Sequence, residues 1–295
     1  MTRVGVLRRL RSGLGRLAWR AQDYAYVLAR QGEGVLRRRP EEPLPSPGPD
    51  VPSTSVTVEG ADPAAPGARA ATPVVLVPGV YESWTFLRPL GRVLRDAGHP
   101  VHVLPALGYN RGPVPDAAAE LGRFVAAEGL TGVVVVAHSK GGLIGKLAML
   151  REDPDARLVG MVAVATPFAG SPYARYVPLR AVRAFVPTDA TLVALAAERE
   201  VNARIVSAYS RFDPHIPGCC ALDGAAANVE LPTPGHFRVL SDPGLPRVVL
   251  DAVARLAGTA RAERAERAER AERAERAGRL PTDPPARGRV VPPAG

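Results

Sequence analysis

The spacing of apolar and polar positions divides the 295-residue chain into four parts. Between residues 73 and 258, apolar runs at Val74–Val77, Val101–Leu104, Val133–Ala137, Val159–Ala165 and Arg204–Tyr209 alternate with stretches of helical period. Runs that are apolar nearly throughout, rather than at every second residue, belong to strands buried on both faces. Strands joined in this way by helices predict an α/β domain: a mostly parallel sheet with helices on both sides. In such sheets ligands gather at the carboxyl ends of the strands, so the residues just after each run hold the candidate chemistry.

Residues 1–39 carry a different pattern. Leu7, Leu10, Leu14, Leu17, Ala21, Tyr24 and Leu28 recur every three or four positions, with Arg8, Arg9, Arg11, Arg16 and Arg20 off that stripe, which predicts a basic amphipathic helix. Gly5, Gly13 and Gly15 each weaken it by about 1 kcal/mol against Ala, so its stripe needs a receiving surface. Three surfaces are open to it: its own domain or a sister copy, a partner helix, or an anionic membrane with Trp19, Tyr24 and Tyr26 at the interface. Residues 40–72 are a Pro-rich linker that can hold coil or polyproline conformation, with a short edge strand expected at 55–58. In the tail, 259–295, an Arg-Ala-Glu repeat from Arg261 to Arg276 sets Glu and Arg four apart, which predicts a solvated helix with no apolar face to dock, ending at Gly278 before Pro281.

Composition changes this picture in two places. The apolar fraction of 46% excludes a wholly disordered chain. The net charge of +9 belongs to the ends: residues 1–39 hold ten Arg and two acids, whereas 40–260 hold 19 bases and 21 acids. The working domain is slightly acidic, which argues against a nucleic-acid enzyme. No apolar run reaches the roughly 18 residues of a membrane span. Arginines also break the N-terminal stretch before it could serve a secretory signal, so the expected location is cytoplasmic, with peripheral membrane contact through residues 1–39 as one open possibility. Cys219 and Cys220 are adjacent, which disfavours a bridge between them, and are expected to be free thiols rather than metal ligands.

The most informative segment follows Val133–Val136: Ala137-His138-Ser139-Lys140-Gly141-Gly142, leading into the helical Leu143–Leu150. A strand, a tight turn and a helix with small residues two before and two after a serine meet the steric demands of a nucleophile elbow. The turn presents the Ser139 hydroxyl at a helix N-terminus, where free N–H groups favour developing negative charge.

These residues resemble a compact serine esterase or lipase of the α/β-hydrolase superfamily, many members of which carry Ala-His-Ser-x-Gly-Gly at the elbow. The resemblance spans most of residues 73–245. Val77-Pro78-Gly79-Val80-Tyr81 is similar to the oxyanion loop of lipases, with Pro78 in place of histidine. It implies that an N–H of Val80 pairs with that of Lys140 to hold an oxyanion, with Tyr81 as the rival donor in the loop. Asp213, after Arg204–Tyr209, stands where the family places its acid, and His236 where it carries its histidine. The order Ser139, Asp213, His236 is the family's order. His99, His102, His138 and His215 suit the base less well, and Asp223 and Asp242 suit the acid less well.

The resemblance further implies ester hydrolysis through an acyl-enzyme, with no cofactor and no metal. Tyr81, Thr166 and Phe168 are the expected substrate contacts, the last two from Thr166-Pro167-Phe168-Ala169-Gly170, which is similar to the Thr-Pro-His-x-Gly stretch of lipases. Residues 173–200 form either a lid or a plain covering helix. The Lys140 ammonium either faces an anionic leaving group or points to solvent. Lipase, short-chain esterase, acyltransferase and a binding module that kept the fold are all compatible with these residues; the expected partner is a small ester or lipid rather than a nucleic acid.

Overall fold

The computed structural model describes residues 18–30, 71–218 and 220–278. The expected strand at 55–58, the helix before residue 18, the tail after Gly278 and Cys219 lie outside them. Helix α1 (18–30) precedes six strands: β1 (Val74–Val77), β2 (Val101–Val103), β3 (Val133–His138), β4 (Leu158–Val164), β5 (Ile205–Ser210) and β6 (Ala227–Leu231). Between and after them run α2 (Arg88–Asp96), α3 (Val114–Ala127), α4 (Lys140–Arg151), α5 (Arg180–Arg183), α6 (Ala190–Ala197) and α7 (Leu245–Gly278).

All the strand pairings are parallel, in the order β2-β1-β3-β4-β5-β6. The central strands β1, β3 and β4 are buried at every position, which is why their sequences read as unbroken Val-rich runs. Alternate residues serve opposite faces. Val75, Val77, Val135 and Met161 share one apolar cluster with Leu121 of α3 and Ile144 of α4. On the other face, Leu76 meets Gly91 of α2 and Gly160 meets Leu256 of α7 so closely that a Cβ on either glycine would sit 3.0 Å from the leucine. β6 has no counterpart among the apolar runs: Asn228 and Glu230 are exposed on this edge strand, and it alternates instead of running apolar throughout.

Helix α4 is rich in glycine and poor in helix propensity, yet it is buried from Lys140 to Met149. Packing rather than propensity holds it: a Cβ at Gly145 would lie 2.5 Å from the sulfur of Met161, so the glycine lets the helix lie directly on the sheet. The segment 173–200 folds into a 3-10 turn at Ala174–Tyr176, then α5 and α6, with Asp189 capping α6 through the Thr191 and Leu192 amides. Cys220 is a buried free thiol.

The chain divides into two compact units, the second beginning at Gly258. Its described part is helical to Gly278, with Glu263–Arg267, Glu266–Arg270, Glu269–Arg273 and Glu272–Arg276 paired at 3.5–3.9 Å. No helix among the described residues is long and apolar enough to cross a membrane.

Candidate active site

Ser139 follows β3 and begins the turn into α4 with φ 50° and ψ −118°, a left-handed conformation that an L-residue holds only when its surroundings impose it. Its N–H donates to Val164 O at 2.8 Å, which ties the turn to the end of β4. Gly141 makes the turn sterically possible: a Cβ there would stand 2.2 Å from the Val77 carbonyl oxygen and 2.9 Å from that of Pro78. The Lys140 and Gly141 N–H groups open α4 next to the serine, ahead of any i−4 partner in the helix, while the Gly142 N–H donates to Ser139 O at 3.1 Å.

His236 comes from the loop after β6 and Asp213 from the loop after β5. The Ser139 hydroxyl donates to His236 Nε2 at 2.9 Å, and Nδ1–H of the same ring donates to Asp213 Oδ2 at 2.7 Å. The other Asp213 oxygen accepts the His215 and Ile216 amides at 2.8 and 2.9 Å. Burial pushes the Asp213 carboxyl up, but the His236 charge and hydrogen bond and the two amides outweigh it and hold its pKa below the usual carboxylate value. Ser139, Asp213 and His236 are all buried.

The rival residues lie elsewhere or act on backbone. Asp223 pairs with Arg199 in solvent, 90% exposed. Asp242 accepts the Thr233 and Gly244 amides and shapes a turn. His99 Nδ1 faces the Thr72 carbonyl, and His102 stands edge-on to Phe124.

His138, beside Ser139, holds two acceptors. Nδ1 meets the Glu82 carboxylate at 2.8 Å and Nε2 meets the His236 carbonyl at 3.1 Å, which requires a proton on both nitrogens. Complete burial opposes that charge, but the Glu82 carboxylate, by charge and hydrogen bond, prevails and raises the His138 pKa. Glu82 also accepts the Gly79 N–H at 2.7 Å. One buried ion pair therefore joins the loop after β1 to the loop that carries His236. In the former, a turn closes from Gly79 O to the Glu82 N–H at 3.3 Å, with Tyr81 at φ 60°. The Gly79 N–H is thus committed to Glu82, while Val80 and Tyr81 line the same cavity as Ser139.

A cavity of about 630 Å³ opens over Ser139 and His236, with Val80 and Tyr81 in its wall. Most of the remaining wall is apolar, with Phe86 and Pro167 from the strand ends and Val177, Val182 and Phe185 from the 173–200 segment. Its size suits a small organic ligand. Thr166 and Phe168 are not brought to it. Thr166 lies fully buried under the elbow, where a Cβ at Gly142 would fall 2.0 Å from its Oγ1, and Phe168 packs in the core. The Lys140 side chain takes neither expected course. It is buried, and Nζ donates to Asn110 O at 2.9 Å, to Asn110 Oδ1 at 3.0 Å and to Gly112 O. Burial pulls its pKa down to about 8, and the three oxygens occupy all its donors. Asn110, at φ 48°, in turn donates to Pro78 O at 2.7 Å.

Helix α1 docks on its own domain, with Tyr24 of the expected stripe at the contact but Leu28 away from it. Tyr24 and Leu28 are 55% and 69% exposed, while Asp23 is fully buried. The docking face runs through Trp19, whose ring centroid lies 5.2 Å from that of Phe212, and Arg20, Tyr24 and Val27 border the cavity. No local sequence pattern marks Glu82, Asn110 or Asp23, polar residues whose partners are distant in the chain.

No family model and no curated protein matches the chain. Among solved structures it is similar to Aspergillus fumigatus lipase B, at 17% identity over 64% of this chain and 53% of that one, with a TM-score of 0.54. It is also similar to the Bacillus licheniformis lipase BlEst2, at 15% identity over 66% and 95% of the two chains (TM-score 0.50). The putative non-heme bromoperoxidase BpoC of Mycobacterium tuberculosis matches at 14% identity over 63% and 93%, also with a TM-score of 0.50.

Proposed function

The chain has the α/β-hydrolase fold, and from that premise we propose that it is a serine hydrolase that cleaves carboxylic esters through an acyl-enzyme. The observation that carries the reading is the hydrogen-bonded series Ser139 Oγ, His236 Nε2 and Nδ1, Asp213 Oδ2, at the floor of a largely apolar cavity. Ser139 Oγ bonds to the ester carbonyl carbon while its proton passes to His236 Nε2. The oxyanion accepts the N–H groups of Lys140 and Val80, and Asp213 fixes the imidazole tautomer and stabilises the imidazolium. Collapse breaks the bond to the alcohol oxygen, which leaves with the proton from His236. Water then repeats the sequence on the acyl-serine, releasing the acid and restoring the hydroxyl.

The apolar wall favours an uncharged acyl group, and Tyr81 stands at the cavity as a substrate contact. Hydrolysis of p-nitrophenyl butyrate by the parent, compared with Ser139→Ala, tests the reading. The expected loss is about 10⁴-fold or more in kcat. Equal rates in both proteins, or a parent that neither turns over esters nor reacts with a fluorophosphonate, would overturn it. Products that contain only an added alcohol acceptor, and no free acid, would move the assignment to acyl transfer.

A further inference from the structure

The first helix brings one group to the site that the proposed mechanism does not use. Asp23 is fully buried although it sits on a helix whose neighbouring residues are mostly exposed. Its Oδ2 accepts the His236 N–H at 3.0 Å, and its Oδ1 accepts the Phe237 and Arg238 N–H groups at 2.9 Å each. His215 Nε2 lies 3.4 Å from the same Oδ2. The loop has formed around this carboxylate: Gly235 has φ 126°, and a Cβ there would stand 2.5 Å from Asp23 Oδ1. The helix is held alongside by Gln22 Oε1, which accepts from the Arg238 guanidinium at 2.7 Å, and by Tyr24, edge-on to the His215 ring at 5.3 Å.

The backbone of His236 is therefore gripped on both sides of its Cα, its N–H by Asp23 and its C=O by His138. Few torsions separate that Cα from the imidazole, so a slack backbone here means a slack imidazole. An isolated buried carboxylate is costly, and this one is retained by three amides that converge on the segment carrying the proposed base. We propose that Asp23 is a positioning residue that sets the place of His236, so that the first helix is a working part of the active site rather than an appendage to it. This rests on the serine-hydrolase reading above.

The test compares the full chain with Asp23→Ala, Asp23→Asn and, as a control on the outward face, Leu28→Ala. Turnover of p-nitrophenyl acetate, which is too small to need the far wall of the cavity, is measured together with amide hydrogen exchange of residues 235–238. Asp23→Ala removes both acceptor oxygens and with them all three hydrogen bonds; kcat should fall roughly 30- to 100-fold with KM changed less than about threefold, as expected for a base displaced by a fraction of an ångström to 1 Å. Exchange at 236–238 should accelerate at least tenfold. Asp23→Asn keeps one oxygen for Phe237 and Arg238 but turns an N–H₂ group toward the His236 N–H, so its kcat should fall between those of the parent and the alanine variant. Leu28→Ala should match the parent in both measurements. If the alanine variant does not fold, the Asn deficit, about fivefold, carries the same comparison. An Asp23→Ala protein with parental kcat, or one in which only KM moves, overturns the proposal. A parent without esterase activity counts against the function, while unchanged exchange at 236–238 in Asp23→Ala counts against the clamp.

Discussion

Replacing Gly141 by Ala tests how tightly the elbow and the loop after β1 share space. The new Cβ would lie 2.2 Å from Val77 O and 2.9 Å from Pro78 O, so the nearer contact is roughly 1 Å too short for van der Waals packing. Both obstacles are backbone, and neither is free to swing aside. Val77 is in register with Ala137 in the sheet, and Pro78 O accepts the Asn110 side chain at 2.7 Å. The strain must therefore move either the start of α4 or the peptides leading into Gly79 and Val80. Overpacking of this kind costs about 1–3 kcal/mol of stability. A displacement near 1 Å at an oxyanion donor, or its loss, lowers kcat by about 10²–10³-fold. Gly142→Ala is the informative contrast: the three atoms nearest its Cβ all belong to the Thr166 side chain, at 2.0–2.8 Å, so it should lose comparable stability but less than about tenfold in kcat. Urea unfolding midpoints and p-nitrophenyl butyrate kinetics on the two variants separate the effects. A Gly141→Ala protein with the parental midpoint and kcat/KM within about fivefold of the parent would refute the reasoning.

Two further outcomes follow from the charged network. Asp213→Asn keeps the size of the side chain but presents an N–H₂ group or a neutral oxygen to His236, so kcat should fall by about 10⁴-fold while far-ultraviolet circular dichroism is unchanged; a loss below tenfold would remove Asp213 from its role. The Glu82–His138 pair predicts a pH signature. The His138 pKa is raised in the folded protein, so its stabilisation is complete below the unfolded value near 6.5 and is lost as pH rises through the folded value. Urea midpoints of the parent should therefore decline above pH 6.5, and that decline should be absent in Glu82→Gln, which is less stable throughout; identical pH slopes in the two proteins would contradict the pairing.

The parts of the site legible from sequence are those with a local signature. The Val-rich runs marked β1, β3 and β4 because strands buried on both faces stay apolar nearly throughout, and β2 and β5 were legible from their apolar residues around His102 and Ser207. The serine announced itself through the small residues its turn requires, and Asp213 and His236 through their place after a strand and their order. β6 escaped because an edge strand needs only one buried face, leaving Asn228 and Glu230 in the pattern. Thr166 and Phe168 show the limit of motif transfer: only Pro167 of that stretch reaches the cavity wall. Lys140 was placed correctly on the chain, but its side chain is captured by carbonyls of the 110–112 loop, a partnership with no periodic trace. The N-terminal stripe predicted an amphipathic helix, yet between residues 18 and 30 the docked face centres on a carboxylate, because three converging amides outweigh the apolar contacts that Leu28 would have made.

The contact between Asp23 and the His236 amide bridges a separation of 213 residues. On a chain made from its N-terminus, the helix that holds the clamp is synthesised before the first of the six described strands and the loop it meets after the last of them. Contacts of such long span are the slow ones, since loop closure must precede any gain from them. Under the serine-hydrolase reading proposed above, the Ser139 turn can thus be complete while His236 is still unfastened, so that a nascent or C-terminally clipped chain would not turn over esters. Competence would then arrive late, when α1 meets the loop after β6, and turnover would report on the integrity of the whole domain rather than of its centre alone.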